Sequence, residues 1–232
     1  MSTHPPLPWK LLIFDWDGTL MDSAARIVNC LRAACLHFNF ADQTDDAYKN
    51  VIGLGLREAL RGLQPSASDA QVEQLANYYR QHYLFNDTTP SDLFPGASAM
   101  LHALQQAGYD LAIATGKGRE GLDQVLTQTG LQQHFCITRC ASETRSKPHP
   151  QMLHEILQHL GLDASAALMI GDTEYDLEMA RSIGIDCVAV SYGVHAAQRL
   201  LKHQPLACVD NIAQLQHFLL KESLIQFGRA DL

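Results

Sequence analysis

The sequence predicts an α/β protein in which a parallel sheet carries helices on both of its faces. Two features of the pattern support this fold class. Short apolar runs alternate with helical segments of about ten residues, and one long helical stretch follows the first apolar run. The alternation is typical of a covered parallel sheet, because each connection between parallel strands crosses the sheet as a helix. We therefore expect a three-layer core with an all-helical insert.

The first predicted strand and the segment after it set the domain organisation. Leu11 to Phe14 form an apolar run that is too short for a helix and predicts a buried strand. We expect no strand between Ser23 and Asp92, a block of roughly 70 residues that is long enough for a small domain. Helices are predicted there near 24–38, 45–51, 54–63 and 69–85. Residues 22–92 are therefore assigned to a separate domain, which we call the helical insert.

The remaining residues, 1–21 and 93–232, are predicted to form one discontinuous α/β core domain. Gly108, Gly130 and Gly161 each follow a helical pattern, as glycine often does at the end of a helix. Strands are expected near 110–114, 135–138, 166–170, 187–190 and 208–209, and helices near 97–107, 120–129, 150–160, 177–182 and 212–220.

The composition disfavours some classes of function. The net charge of −8 and the pI near 5.7 argue against binding to nucleic acid or to an anionic membrane. No apolar stretch approaches the roughly 18 residues of a membrane helix, and Met1 to Lys10 lack the apolar segment of a signal peptide. The six cysteines form no C-x-x-C pair, which indicates reduced thiols. We expect a cytoplasmic protein that is a monomer or a homodimer.

Two aspartates stand at the end of the first predicted strand. Asp15 and Asp17 can face one spot, because side chains two apart on an extended chain point the same way. Two carboxylates this close repel each other unless a proton or a cation lies between them. Gly18 allows the chain to turn sharply directly afterwards. The arrangement predicts a nucleophile, an acid and a divalent metal ion at one strand end.

Other polar residues are expected at the same edge of the sheet, where ligands of parallel sheets bind. Thr115 and Asp172 each stand at the carboxyl end of an apolar strand. Asp176 shares a helix face with Asp172 if a helix begins there, which is unfavourable unless a cation such as Mg²⁺ offsets the repulsion. The alternative is that Asp172 or Thr173 caps this helix and that Asp176 is exposed.

Four segments follow one another along the chain: Asp15-Trp16-Asp17-Gly18-Thr19, Thr115-Gly116, Ser146-Lys147-Pro148-His149-Pro150 and Gly171-Asp172-Thr173-Glu174-Tyr175-Asp176. Together they resemble the haloacid dehalogenase superfamily of hydrolases, and more narrowly its phosphoglycolate-phosphatase-like branch. The resemblance extends from Leu11 to Leu220. It implies a Rossmann-like core, and it makes the helical insert a cap of the C1 type that follows the first segment.

The resemblance also implies catalytic roles for the first segment. Asp15 corresponds to the nucleophile that forms an aspartyl-phosphate. Asp17 corresponds to the general acid for the leaving oxygen and later the base for the attacking water. A dehalogenase of the same superfamily needs no second carboxylate here, so Asp17 favours phosphate chemistry.

Phosphoryl transfer requires positioning and charge stabilisation. By resemblance, the phosphoryl group is bound by the hydroxyl of Thr115, a backbone N–H of Gly116 and the ammonium of Lys147. Arg57 follows a Gly-Leu-Gly-Leu stretch in the helical insert. It is expected either to contact an anionic substrate or to face solvent.

The implied cofactor is Mg²⁺. By resemblance its ligands are Asp15, the backbone carbonyl of Asp17, and Asp172, while Asp176 orients Lys147 or a metal-bound water.

Five further residues are expected to pack or to be exposed rather than to bind ligand: Tyr78, Tyr79, Tyr83, His149 and His195.

The implied activity is the Mg²⁺-dependent hydrolysis of a small-molecule phosphate monoester, such as phosphoglycolate or another phosphorylated metabolite. A sugar-phosphate mutase, a pyrophosphatase or a phosphatase acting on nucleotides are the alternatives within the superfamily. A non-catalytic binding protein is less favoured, because the nucleophile, the lysine and the metal carboxylate are all present. The helical insert is expected to close over the site through hinges near 20–23 and 91–95.

Overall fold

The computed structural model describes residues 9–225. Within them, six parallel strands form one sheet in the order β5-β4-β1-β6-β7-β8, which confirms the predicted parallel sheet. The strands are β1 (Leu11–Phe14), β4 (Asp110–Thr115), β5 (Ile137–Cys140), β6 (Ala167–Gly171), β7 (Asp186–Val190) and β8 (Ala207–Val209). The ends of the predicted core domain, residues 1–8 and 226–232, lie outside the described residues.

Helices cover both faces of this sheet because its side chains alternate between them. In β1, Leu12 and Phe14 pack on the face covered by α5, α6 and α10, whereas Leu11 and Ile13 pack on the face covered by α7, α8 and α9. The strands are buried on both faces, which explains why their apolar runs are continuous. The helix bounds are α5 (Ala97–Gln106), α6 (Arg119–Thr129), α7 (Gln151–Leu160), α8 (Glu174–Arg181), α9 (Ala197–Leu200) and α10 (Ile212–Ile225).

The helical insert has a hydrophobic cluster of its own, in which Tyr48, Leu60 and Leu75 are fully buried. Between residues 22 and 92 the chain forms α1 (Ala24–His37), α2 (Asp45–Asn50), α3 (Leu56–Leu63), α4 (Asp69–Gln81) and a π-helix (His82–Asn86). The helix predicted over 69–85 therefore changes to the wider π-helical form at His82. The division of the chain into two domains remains a prediction.

Two short strands join the helical insert to the core. β2 (Met21–Asp22) and β3 (Asp92–Leu93) pair antiparallel, with Met21 opposite Leu93. The sequence did not predict them, because a two-residue strand leaves no periodic pattern. They coincide with the predicted hinges, and hinge motion itself remains a prediction.

Some boundaries differ from the prediction for local reasons. β5 begins at Ile137 rather than at 135, and Phe135 and Cys136 connect it to a 3₁₀ turn over Gln132–His134. Helix α8 begins at Glu174 rather than near 177, because Thr173 caps it. No helix among residues 9–225 has the length and apolar character that a membrane crossing needs.

The register of the sheet places the strand ends side by side. Phe14, the last residue of β1, pairs with Ile113 of β4 on one side and Ile170 of β6 on the other. The residues that follow these three strands consequently meet at one edge of the sheet.

Replacement of Ile13 by alanine should destabilise the core by about 2–5 kcal/mol, since the side chain is fully buried in the central strand and its removal leaves a cavity. Urea unfolding measures this difference. Leu201→Ala is the matched control, because Leu201 is 53% exposed and its loss should change the free energy of unfolding by less than about 0.5 kcal/mol. Equal effects of the two changes would contradict this description of the sheet.

Candidate active site

The sheet edge brings together the polar residues that the sequence predicted to meet there. Asp15 follows β1 and its backbone N–H donates to the carbonyl of Ile170, which continues the sheet by one residue. Thr115 ends β4, and Asp172 follows β6. All of the following side chains are buried: Asp15, Asp17, Thr115, Lys147, Asp172 and Asp176.

Lys147 lies at the centre of this group. Its Nζ atom is 2.8 Å from Oδ1 of Asp15 and 2.6 Å from Oδ1 of Asp176. Burial lowers the pKa of Lys147, but the two carboxylates outweigh burial and raise the pKa above its usual value. Lys147 is therefore an ammonium cation buried between two aspartates.

One ammonium does not balance the charge of this group. Carboxylate oxygens of Asp15, Asp172 and Asp176 lie within 4.8 Å of one another. Burial raises the pKa of Asp15 to about 7, with Lys147 opposing that shift and Asp176 adding to it. Burial also raises the pKa of Asp172 well above its usual value, and Asp15 adds to that shift. The carboxylates resist ionisation as long as no further cation neutralises them.

The acidic group fits a hard divalent cation. Among the described residues, the buried Oδ2 atom of Asp15 has no hydrogen-bond partner, whereas Oδ1 accepts from the backbone N–H of Trp16 at 2.7 Å. Such an unsatisfied oxygen beside the Asp172 carboxylate matches the oxygen ligands that Mg²⁺ prefers. The site therefore offers suitable donors for the predicted metal.

Asp172 is fixed from both sides. Its Oδ1 atom accepts from the hydroxyl of Thr19 at 2.9 Å, and Oδ2 accepts from the backbone N–H of Val194 at 2.9 Å. A Cβ atom on Gly18 would lie 2.2 Å from this carboxylate, and one on Gly193 would lie 2.3 Å from it. Gly18 was expected from the turn, which its φ of 81° confirms. Gly193 was missed, since a glycine shortly after a strand gives only a weak signal.

Asp176 takes part in the capped helix start that one alternative predicted, and it also contacts Lys147, as the resemblance implied. Thr173 caps α8, as one alternative proposed, and Oδ2 of Asp176 accepts from the backbone N–H and the hydroxyl of Thr173. The same alternative expected an exposed Asp176, and that part is wrong. Asp176 is fully buried, because its other oxygen bonds Lys147. The aspartate thus holds both the helix start and the lysine.

Asp17 has a cationic partner that the sequence reasoning missed. Its Oδ1 atom accepts from the hydroxyl of Ser23 at 2.7 Å and lies 3.0 Å from Nζ of Lys117. Lys117 also donates to the hydroxyl of Tyr83 at 3.1 Å. The sequence signal that could have identified Lys117 is its position two residues after Thr115, at the sheet edge where the other polar groups lie.

A cavity of about 370 Å³ lies between this edge and the helical insert. Its core side includes Asp15, Asp17, Thr115, Gly116 and Lys117, and its insert side includes Gly53, Leu54, Arg57, Tyr79 and Tyr83. The two sides approach closely, since a Cβ atom on Gly116 would lie 2.5 Å from the carbonyl oxygen of Gly53. Ser146 also accepts a hydrogen bond from the backbone N–H of Gly55 at 2.7 Å.

Arg57 lies on the cavity wall, but its guanidinium is paired with Glu73 and its side chain is 55% exposed. This placement corresponds to the solvent-facing alternative, and a substrate contact would require Arg57 to leave Glu73. His149 is half-buried and its ring contacts Arg145, and His195 is buried and accepts from the backbone N–H of Glu174. Neither histidine lines the cavity.

The three tyrosines of the helical insert differ in their surroundings. Tyr78 stacks on His37 within the insert, as the packing interpretation expected. Tyr79 and Tyr83 instead line the cavity, and Tyr83 contacts Lys117. The packing interpretation is therefore incomplete for these two residues.

A model of the haloacid dehalogenase-like hydrolases matches residues 12–190. The chain belongs to this family. The match confirms the resemblance drawn from the four segments and the prediction that the protein is a hydrolase.

Individual relatives agree with this assignment. The chain is 32% identical to "Probable phosphatase IndB" of Dickeya dadantii over 92% of this chain and 96% of that protein. It is 28% identical to a phosphoglycolate phosphatase of Mesorhizobium japonicum over 88% of this chain and 92% of that protein. The crystal structure of a hydrolase from Pseudomonas syringae has the same fold, with a TM-score of 0.84, 24% identity and coverage of 92% and 99% of the two chains.

Magnesium should stabilise the protein more at high pH than at low pH. The pKa of Asp15 is about 7 in the folded protein, against an ordinary value of 3.8, so the folded state holds this proton more tightly than the unfolded chain does. The protonated Asp15 carboxyl therefore adds to the stability of the folded state fully below about pH 4, and this contribution is lost as the pH rises to about 7.

Thermal unfolding with Mg²⁺ or with EDTA tests this linkage. The increase in melting temperature caused by Mg²⁺ should be larger at pH 8 than at pH 5, where protons compete for the carboxylates. It should shrink in Asp15→Asn. An equal increase at both pH values in the wild-type protein would contradict the expected competition between protons and metal.

Proposed function

We propose that the protein is a Mg²⁺-dependent phosphatase that hydrolyses a small-molecule phosphate monoester through an aspartyl-phosphate at Asp15. The observation that carries this proposal is the placement of Asp15. It lines the cavity, one of its oxygens is held by Lys147 and the Trp16 N–H, and the other oxygen has no partner among the described residues. The relatives named as phosphatases support the same reaction class.

The first half of the reaction transfers the phosphoryl group to the enzyme. A carboxylate oxygen of Asp15 bonds to phosphorus while the bond between phosphorus and the ester oxygen breaks. The electron pair stays on the ester oxygen, which takes a proton from Asp17. Lys147 holds the Asp15 carboxylate in place and supplies positive charge to the phosphoryl oxygens.

The second half releases phosphate. Asp17 takes a proton from water, the hydroxide oxygen bonds to phosphorus, and the bond between Asp15 and phosphorus breaks. Inorganic phosphate leaves and Asp17 is protonated again, so both aspartates return to their starting states. One carboxylate thus serves as acid and then as base.

The end of β4 is suited to bind phosphoryl oxygens. The hydroxyl oxygen of Thr115 accepts from the backbone N–H of Lys117 at 3.1 Å, which leaves the hydroxyl proton for a ligand. Gly116 lines the cavity beside it, and helix α6 begins shortly afterwards at Arg119. The positive end of the α6 dipole adds to the attraction for an anion.

Asp15, Asp172 and the backbone carbonyl of Asp17 are the groups that would hold Mg²⁺, with Asp176 bonded to Lys147 beside them. When bound, the ion neutralises charge on the transferring phosphoryl group. The helical insert covers the cavity and acts as a cap that excludes water from the reacting groups.

Replacement of Asp15 by asparagine should abolish turnover, because an amide cannot form the phosphoenzyme. Phosphate release from a panel of phosphorylated metabolites measures the effect. Asp163→Asn is the matched control, since Asp163 is exposed and makes no side-chain cap. Near-normal activity of Asp15→Asn would refute the assignment of the nucleophile.

The same panel separates hydrolysis from the alternatives within the superfamily. A phosphatase releases one inorganic phosphate for each ester consumed. A mutase transfers the group to a second sugar hydroxyl without net release, and a pyrophosphatase is active on pyrophosphate alone. A wild-type protein that releases no phosphate from any member of the panel would refute the proposed function.

Replacement of Asp172 by alanine should raise the Mg²⁺ concentration for half-maximal activity by about tenfold or more, because a ligand is lost. A magnesium titration of phosphate release measures this change. Glu178→Ala removes an exposed acid on the same helix as Asp176 and should leave the titration unchanged. An unchanged titration of Asp172→Ala would exclude Asp172 as a metal ligand.

A further inference from the structure

We propose that Lys117 is a positioning residue that makes proton transfer by Asp17 depend on the seating of the helical insert. The inference rests on the proposed function, because it concerns the aspartate that protonates the leaving group. It assigns a role to a contact between core and insert that the reaction scheme above does not use.

Lys117 connects Asp17 to the insert directly. Its side chain is 7% exposed, and its Nζ atom is 3.0 Å from Oδ1 of Asp17 and 3.1 Å from the hydroxyl oxygen of Tyr83. The same Nζ atom lies 4.6 Å from the centre of the Tyr83 ring. The ammonium therefore has one partner in the core and a second partner, both a hydroxyl and an aromatic face, in the insert.

The contact restricts the orientation of the Asp17 side chain. Among the described side chains, Ser23 and Lys117 both bond Oδ1, from two directions. Two partners on one oxygen restrict rotation of the carboxylate, and Oδ2 remains for the ester oxygen of a ligand in the cavity that Asp17 lines. Proton transfer is efficient only when donor and acceptor lie within hydrogen-bond distance.

Tyr83 is fixed to the insert rather than to the core. It lies in the π-helix, a form that often occurs at functional sites. The guanidinium of Arg26, from α1, donates to the carbonyl of Tyr83 at 2.7 Å and lies 4.5 Å from its ring centre. Any displacement of the insert from the sheet edge therefore carries Tyr83 away from Lys117.

Proton transfer by Asp17 therefore depends on the position of the helical insert over the sheet edge. With the insert seated, Lys117 is held between Tyr83 and Asp17, and the carboxylate keeps both of its partners. With the insert displaced, Lys117 loses its insert contacts and samples other rotamers, so Asp17 loses one of the two restraints on its orientation. Lys147 differs in this respect, since its two ion pairs lie wholly within the core.

The test compares two esters that differ in their need for a proton. An alkyl phosphate such as glycerol phosphate has a poor leaving group that requires protonation, whereas p-nitrophenyl phosphate releases a stable phenolate. The parameter kcat/KM reports formation of the aspartyl-phosphate, the step in which the leaving group departs. Lys117→Met and Tyr83→Phe are compared with Lys49→Met, an exposed lysine, and with Tyr78→Phe, a tyrosine packed within the insert.

We expect Lys117→Met to reduce kcat/KM for the alkyl ester at least about tenfold more than for p-nitrophenyl phosphate. Tyr83→Phe should shift the ratio in the same direction by a smaller factor, and Lys117→Arg should restore part of the loss. The two controls should leave the ratio unchanged. Tyr83→Phe removes one hydroxyl only, so it keeps the test valid if Lys117→Met fails to fold.

Equal losses on both esters in both variants would overturn the inference, since they indicate a structural or substrate-binding role. A change confined to KM would do the same. These outcomes are distinct from a failure of the proposed function, which would appear as absence of phosphate release from the wild-type protein.

Discussion

The ion pairs of Lys147 with Asp15 and Asp176 are the interaction on which the rest of the site depends. Removing charges from water costs several kcal/mol per ion, and the cost is offset only where partners lie close and in good geometry. Here Asp15 directly follows β1, Lys147 lies in the loop before α7, and Asp176 lies in the first turn of α8. The three segments must therefore be held in fixed positions, which the register of the central strands provides.

The buried charge also explains the tight packing around Asp172. Its carboxylate is enclosed by two glycines and bonded by Thr19 and Val194, so it cannot move away from the other acids. Carboxylates brought together in this way repel, and the repulsion favours a proton or a metal ion. A site of this kind is costly for the fold, which is expected where a preorganised charge arrangement serves the chemistry.

Core and insert contribute different properties to the cavity. The core supplies fixed charges, whereas the insert wall is largely apolar and includes Leu31, Val51, Ile52, Leu56 and Leu84. Under the proposed function, these fixed charges act on the phosphoryl group, which is common to many esters. The apolar wall and the few polar groups set into it are the part that can distinguish one leaving group from another.

Site residues that stand at the end of an apolar strand were predictable from the sequence. Asp15 and Asp172 directly follow apolar strands and Thr115 ends one, and the order of those strands in the sheet places the three residues together. Tertiary contacts were not predictable. Lys117 contacts Tyr83, which lies 34 residues earlier in the sequence. Asp17 contacts Ser23 through a turn whose geometry the sequence does not determine. Nothing local marks such a lysine as buried, because its burial depends on a carboxylate and a ring supplied by other elements.

The pairing of β2 with β3 has a consequence for how this architecture diversifies. The chain leaves the core at Met21 and re-enters it at Leu93, and these two residues are neighbours across the pair. To the sheet, the whole helical insert is therefore equivalent to a hairpin loop, and loop-closure entropy grows only slowly with loop length. Inserts of other lengths and shapes can be exchanged at this junction during evolution while the strand register, and with it the charge arrangement at the sheet edge, is retained.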